Sequence, residues 1–264
     1  MQNTQDVEQR LKAEAAFQNR RVQVAAEGGT EARDRFYYLA DQARRAYHAC
    51  LEGLAGKRVL IVGCSEGGVT PMARAGAIVT GIDIADEPIR RLNDVIAREG
   101  LSDRARGVVM NAEALEFPPG SFDCICCAGV LHHLDVEKAA ASWARCLDQD
   151  GRVAMLEPMA WHPVVALYRL FTPSMRTRDE HPLKPRDIRI LKRHFSSVKV
   201  RGFVLTSVLS LLWAYLPNVL SLKQRTQWLF ERLDTGLLAL VPPLRYFCWT
   251  SVIRLGGPRQ GPGR

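Results

Sequence analysis

From Arg58 onward the chain alternates short runs of branched and aliphatic residues with longer segments whose apolar positions recur three and four residues apart. The runs Arg58–Val62, Ala77–Asp83, Ala105–Met110, Phe122–Ala128 and Arg152–Glu157 read as buried strands. After the second of them, Asp86 and Pro88 open a helix that keeps Ile89, Leu92 and Ile96 on one face, and Gly100 followed by Leu101 closes it. Val136–Leu147 predicts another helix, ended by Asp150 and Gly151. Strands and helices in this alternation predict βαβ units and a parallel sheet.

The flanks carry other patterns. Val7–Arg21 and Glu31–Leu51 read as helices separated by Gly28 and Gly29, with Phe36, Leu39, Ala43 and Ala46 at helical spacing in the second. Residues 1–55 are therefore a helical cap ahead of a core spanning 56–205, in which 159–184 is expected to cover the active site. Pro185–His194 reads as a helix, Ser197–Leu205 as a strand and Tyr246–Leu255 as a last strand (245–256 in the domain division), before a Gly/Pro/Arg tail at 257–264 expected to be frayed.

Between the last two strands lies an apolar insertion, 206–244. No charged residue occurs from Gly202 to Leu222, and Trp213, Tyr215 and Trp228 continue the apolar character. A membrane-crossing helix needs roughly 20 consecutive apolar residues. Here the first part belongs to the sixth strand and Pro217 with Asn218 interrupts the rest, so the insertion reads as a helical lid with one apolar face. Such a face covers a hydrophobic substrate, rests in a membrane interface, pairs two copies of the chain or packs into the core. Monomer and homodimer both stay open.

Composition narrows the setting. The 264 residues are 47% hydrophobic, as in a folded globular protein, and the formal net charge is +8. Ten Lys or Arg fall between Arg169 and Arg201 against Asp179, Glu180 and Asp187, which concentrates the excess in one stretch. That stretch suits a solvated helix face or anionic headgroups, and no appended RNA-binding module accompanies it, so nucleic acid is not an expected partner. The seven cysteines lack paired metal-site spacing and sit mostly in apolar runs, so reduced buried thiols and no metal are expected. The opening MQNTQDVEQRLKAEAAF has no apolar signal region, which points to a cytoplasmic protein, with peripheral contact to the inner face of a membrane as an extension.

The candidate chemistry lies where the first strand breaks into Gly63, Cys64, Ser65, Glu66, Gly67 and Gly68. Glycines there let the backbone approach a ligand, and the following helix offers unpaired N–H groups. The spacing is G-x-x-x-G-G, which does not fit the dinucleotide fingerprint. Asp83 ends the second strand, placed to accept both ribose hydroxyls of a nucleoside lying across the strand ends. Together these features favour an adenosine-type ligand.

The segments VLIVGCSEGG, VTGIDIA, NAEALEFPPGSFDCICCAGVLHHL and RVAMLEP, between Arg58 and Glu157, resemble the class I S-adenosylmethionine-dependent methyltransferases, in particular the small-molecule branch of ubiquinone and menaquinone biosynthesis. The resemblance implies a Rossmann-like α/β fold: a seven-stranded sheet, mostly parallel with the last strand antiparallel, and helices on both faces. It implies S-adenosylmethionine as cofactor and S-adenosylhomocysteine as product. It places Gly63, Cys64, Ser65 and Gly67 against the methionine part and Asp83 on the ribose. Ile84, Asn111 and Ala112 border the adenine, and Ala128, Gly129, Leu131 and His132 the reaction centre. Two departures stand out: Ile61 occupies a position that is commonly acidic, and Ser65 one that is commonly glycine.

Methyl transfer needs alignment first and a general base only where the acceptor loses a proton. Candidate bases are His162, His133 and His181, and candidate pocket walls are Tyr37, Tyr38, Trp161, Tyr168 and Phe171. The leading expectation is methylation of a small hydrophobic acceptor, at oxygen before nitrogen or carbon. An RNA methyltransferase and a non-catalytic protein that binds a partner or membrane through the insertion are the alternatives.

Overall fold

The computed structural model describes residues 4–26, 38–64, 66–172, 180–213 and 220–259. Seven strands, β1 (Arg58–Val62), β2 (Ile78–Asp83), β3 (Ala105–Val109), β4 (Phe122–Ala128), β5 (Leu147–Pro158), β6 (Phe195–Phe203) and β7 (Thr250–Pro258), form one sheet in the order β3-β2-β1-β4-β5-β7-β6. The first five pair in parallel, and β7 runs antiparallel between β5 and β6. This is the expected doubly covered sheet, and the order reverses between β1 and β4, where open α/β sheets form their ligand crevice.

Strand alternation explains why both faces are apolar. Leu60, Val62, Ile125 and Met155 enter one core with Trp143 of α5 (Val136–Cys146) and Ile188 and Leu191 of α7 (Pro185–His194). Val59, Ile61, Val79 and Cys126 enter the other with Tyr47 of α2 (Asp41–Ala49), Val69 of α3 (Glu66–Arg74) and Ile89, Leu92 and Ile96 of α4 (Asp86–Arg98). A strand buried on both faces must be apolar along its buried length, which is the pattern of β1 from Val59 to Val62. Asp135 caps α5 by accepting from the N–H groups of Glu137 and Lys138.

Several element ends differ from the sequence reading: the first helix spans Thr4–Ala26, β6 starts at Phe195 directly after α7 and ends at Phe203, and β7 runs on to Pro258, two residues into the expected tail, because Pro258 pairs with Phe195. β5 starts at Leu147, five residues before the expected strand, because the chain passes directly from α5 into extended backbone. The expected final strand from Tyr246 starts instead at Thr250, since Pro242–Phe247 forms a 3-10 turn. The insertion holds a second 3-10 segment, Ser207–Trp213, and the helix α8 (Leu220–Leu240). Asp234 anchors it: this buried carboxylate accepts from the N–H groups of Leu205, Thr206 and Ser207 and from the hydroxyls of Thr206 and Ser207.

Ahead of the sheet, α1 (Thr4–Ala26) lies over the carboxyl ends of the strands. Polar side chains hold it there. Arg10 Nη2 donates to both carboxylate oxygens of Glu113, at 2.6 and 2.8 Å, and Nη1 donates to the His133 carbonyl at 3.1 Å. Asn19 bonds Asp86 and the Glu87 N–H at the start of α4.

Candidate functional site

One pocket opens at the carboxyl ends of β1, β2 and β4, and α1 closes its outer side. From the sheet side come Val62, Gly63 and Cys64, then Ile82, Asp83 and Ile84, then Met110, Asn111 and Ala112, then Ala128, Gly129 and Val130. His133 and Leu134 continue the wall, and Arg10, Leu11, Glu14 and Gln18 complete it from α1.

The turn after β1 is built for close approach. Gly63 has φ +77° and its N–H bonds the Ile82 carbonyl at 2.9 Å, while a Cβ there would lie 2.3 Å from Val130 Cγ2. Only glycine satisfies both the left-handed backbone and the contact with Val130. Gly129, at the end of β4, is likewise left-handed at φ +69°.

Asp83 receives the Ala85 N–H at 2.9 Å. Burial pushes its carboxyl above the ordinary carboxylate range; the N–H groups of Ala85, Cys64 and Ile84 oppose that rise, and the nearby charge of Glu14 adds to it. Asn111 Oδ1 accepts from the Glu113 N–H, and an amide oxygen keeps a second lone pair for a ligand. Burial also drives the Cys64 thiol well up, so it is a neutral wall group.

Below the pocket, the fully buried Glu157 organises the turn after β4. It accepts from the N–H groups of Val130 and Leu131 and faces His132 Nδ1 at 2.8 Å. Burial works to raise its proton affinity, yet the His132 ring and the two N–H groups outweigh that and hold Glu157 below its ordinary range.

The residues selected from sequence divide accordingly. Gly63, Cys64, Asp83, Ile84, Asn111, Ala112, Ala128 and Gly129 come together around the pocket. Leu131 and His132 do not line it: both are buried beneath it by their bonds to Glu157. Gly67 lies in α3, and Ser65 lies outside the described residues.

Of the three histidines, His133 lines the pocket. His162 corrects the expectation of a base: it is buried as the cap of α6 (Pro163–Phe171), where Nδ1 accepts from the Val165 N–H and Nε2 faces the Leu205 carbonyl at 3.0 Å. Both of its ring nitrogens are committed to backbone. His181 sits below the turn and donates its N–H to the His132 carbonyl.

The expected aromatic walls are corrected as well. Trp161, Tyr168 and Phe171 lie on an exposed face outside the pocket, with Phe171 77% exposed, because α6 has no buried residue. Tyr37 and the Tyr38 side chain lie outside the described residues. Sequence reading missed the α1 contributors Arg10, Glu14 and Gln18. The departure at β1 also has a structural reading: Ile61 packs into the core and is not a pocket residue, while Glu14 brings a carboxylate to the pocket from α1.

Residues 60–155 match the family model described as a methyltransferase domain. The chain is 33% identical over 138 residues to a ubiquinone biosynthesis O-methyltransferase of Psychrobacter cryohalolentis, covering 52% of each chain. It is 41% identical over 76 residues to a ubiquinone/menaquinone biosynthesis C-methyltransferase of a Marinomonas species, covering 28% of this chain and 30% of that one. The chain thus matches about half the length of the first of these relatives or less. Its fold resembles geranyl diphosphate C-methyltransferase from Streptomyces coelicolor A3(2), solved with Mg2+, geranyl diphosphate and S-adenosyl-L-homocysteine, at TM-score 0.55 and 15% identity over 83% of this chain and 79% of that one.

Proposed function

We propose that this chain, which carries a class I S-adenosylmethionine-dependent methyltransferase domain similar to those of the ubiquinone biosynthesis methyltransferases, methylates a small hydrophobic acceptor, at oxygen before carbon or nitrogen. The observation that carries the reading is the meeting of Gly63, Asp83, Asn111 and Gly129 around one pocket at the sheet's reversal point.

The pocket's chemistry fits the cofactor. The ribose hydroxyls have Asp83 as acceptor, and the adenine amino group has the second lone pair of Asn111. A sulfonium and an ammonium are both cationic, and Glu14 from α1 and Asp83 from β2 bring carboxylates to the pocket lining. In this reading Glu14 takes the part of the acidic residue absent at Ile61.

When bound, S-adenosylmethionine supplies an activated methyl carbon, and its transfer leaves a neutral thioether. The chain's own work is to align the acceptor with that carbon and keep water out, which is worth about 7–11 kcal/mol of the barrier. α1, held by the Arg10–Glu113 pair, closes the cofactor end. His133 also lines the pocket, and in this reading it hydrogen-bonds an acceptor hydroxyl.

The acceptor's hydrophobic character rests on the surface around α6 and α8. Leu167, Leu170 and Phe171 on α6, Trp228, Leu229 and Leu240 on α8, and Trp161 beside α6 are exposed, and the Trp161 ring meets Phe247 at 5.5 Å. No helix among the described residues is long and apolar enough to cross a membrane. We read this surface as a peripheral contact at the inner face of a membrane, from which an apolar acceptor enters.

The test is transfer of label from methyl-labelled S-adenosylmethionine to a panel of phenols, hydroxyquinones and lipid extracts. Labelled product of an apolar hydroxyl compound supports the reading, and label confined to nucleic acid or protein overturns it. Flotation with vesicles tests the surface: binding reduced by Leu170→Asp with Phe171→Asp supports membrane contact, and no binding by the parent protein rejects it.

A further inference from the structure

We propose that His132, His133 and Glu180 form a binding site for one divalent transition-metal ion of the zinc class, set against the acceptor end of the pocket. One ring nitrogen of each histidine and one carboxylate oxygen lie within 4.8 Å of one another. Zinc holds nitrogen and oxygen ligands at about 2.0–2.2 Å, which needs donors roughly 3.4 Å apart, so small side-chain rotations close the site.

Four features make this more than a chance cluster. First, the His132 ring is oriented by a buried carboxylate, Glu157, through Nδ1 at 2.8 Å. That leaves Nε2 to ligate, in the carboxylate–histidine–metal arrangement that supports metal sites. Second, the His133 side chain is only 8% exposed, and its Nδ1 makes no hydrogen bond of good geometry, with Glu14 Oε1 at 3.4 Å as its charged neighbour.

Third, the ligands sit on two segments tied together by backbone. His132 and His133 belong to a 3-10 turn whose entry is held by Glu157, and the His181 N–H bonds the His132 carbonyl at 2.9 Å, which fixes the residue next to Glu180. Fourth, the charge around the site favours a dication. Among the described residues, Glu180 and Glu157 face the cluster and Glu14 Oε1 lies 3.4 Å from His133 Nδ1, against two guanidinium groups: Arg169, bonded to Glu180 Oε1 at 2.7 Å, and Arg10, which donates to the His133 carbonyl at 3.1 Å and is itself paired with Glu113.

Two imidazoles and one carboxylate are three protein ligands, the number that leaves a coordination position open to a small molecule. His133 lines the pocket, and a Cβ on Gly129 would lie 3.8 Å from His132 Cε1, so the site borders the space given to the acceptor. The open position would take the acceptor's oxygen. That last assignment rests on the proposed function; the metal site itself does not.

The experiment is titration of chelator-treated protein with Co2+, followed by visible absorption and displacement by Zn2+, on the parent, Glu180→Gln and His132→Ala, with circular dichroism as the folding control. We expect one equivalent of Co2+ without the near-ultraviolet thiolate band that ligation by the cysteines would give. Affinity should fall about 10-fold or more in folded Glu180→Gln. Absence of stoichiometric binding, a thiolate band, or equal affinity in parent and Glu180→Gln would overturn the site. Binding of S-adenosylmethionine, measured on the same metal-free samples, reports the proposed function independently.

Discussion

Arg10 and Glu113 lie 103 residues apart in the chain and hold α1 against the pocket, through two bonds of 2.6 and 2.8 Å. The Glu113 side chain is 2% exposed and also accepts the Asp135 N–H, so the pair fixes α1, the loop after β3 and the start of α5 at one point. Arg10→Met removes the guanidinium and leaves a buried carboxylate short of partners, at a cost of about 1–3 kcal/mol. The expected result is earlier proteolysis within α1 and weaker S-adenosylmethionine binding by about tenfold, measured by limited digestion and by titration.

Gly63→Ala adds a methyl group at φ +77° and within 2.3 Å of Val130 Cγ2. Overpacking and the left-handed backbone together cost about 2–5 kcal/mol. Thermal denaturation should show a clear loss of stability, and adding Val130→Ala should recover the steric part but not the backbone part. A Gly63→Ala protein as stable as its parent would contradict the geometry of the turn.

His162 gives a pH dependence whose sign is fixed by its surroundings. Burial lowers its pKa from 6.5, opposed by the Leu205 carbonyl and the charge of Asp234. The unfolded chain therefore binds the proton more readily. Its neutral form contributes stability that is fully present above about pH 6.5 and is lost as pH falls through the lower folded value. Melting curves at pH 7.5 and pH 5.5 should separate further for the parent than for His162→Asn, in which this titration is gone.

The sheet was legible because β1 to β4 are short, largely apolar runs between polar or helical segments, so their ends fall within a residue of the sequence reading. Of the pocket's floor, Gly63 and Asp83 were legible for the same reason, at the ends of β1 and β2, whereas Asn111 and Gly129 came from the family resemblance. The roof was not legible. Arg10, Glu14 and Asn19 act on partners a hundred or sixty-odd residues away, and nothing local to Val7–Arg21 marks a polar latch. The histidines divided, His133 lining the pocket and His162 not, because ring type carries no information on what occupies the nitrogens. His162 had the right position after β5, yet the α6 backbone takes one nitrogen and Leu205 the other. Asp234 was passed over since it sits in an apolar insertion, where its five donors come from the preceding segment.

Calorimetric titration with S-adenosylmethionine and S-adenosylhomocysteine, on the parent protein and on Asp83→Ala, tests the central claim most directly. The account predicts micromolar binding of both by the parent and a loss of about 10- to 100-fold in Asp83→Ala, because the ribose hydroxyls lose their charged acceptor. No binding by a folded parent protein, or equal affinity in the two proteins, would contradict it.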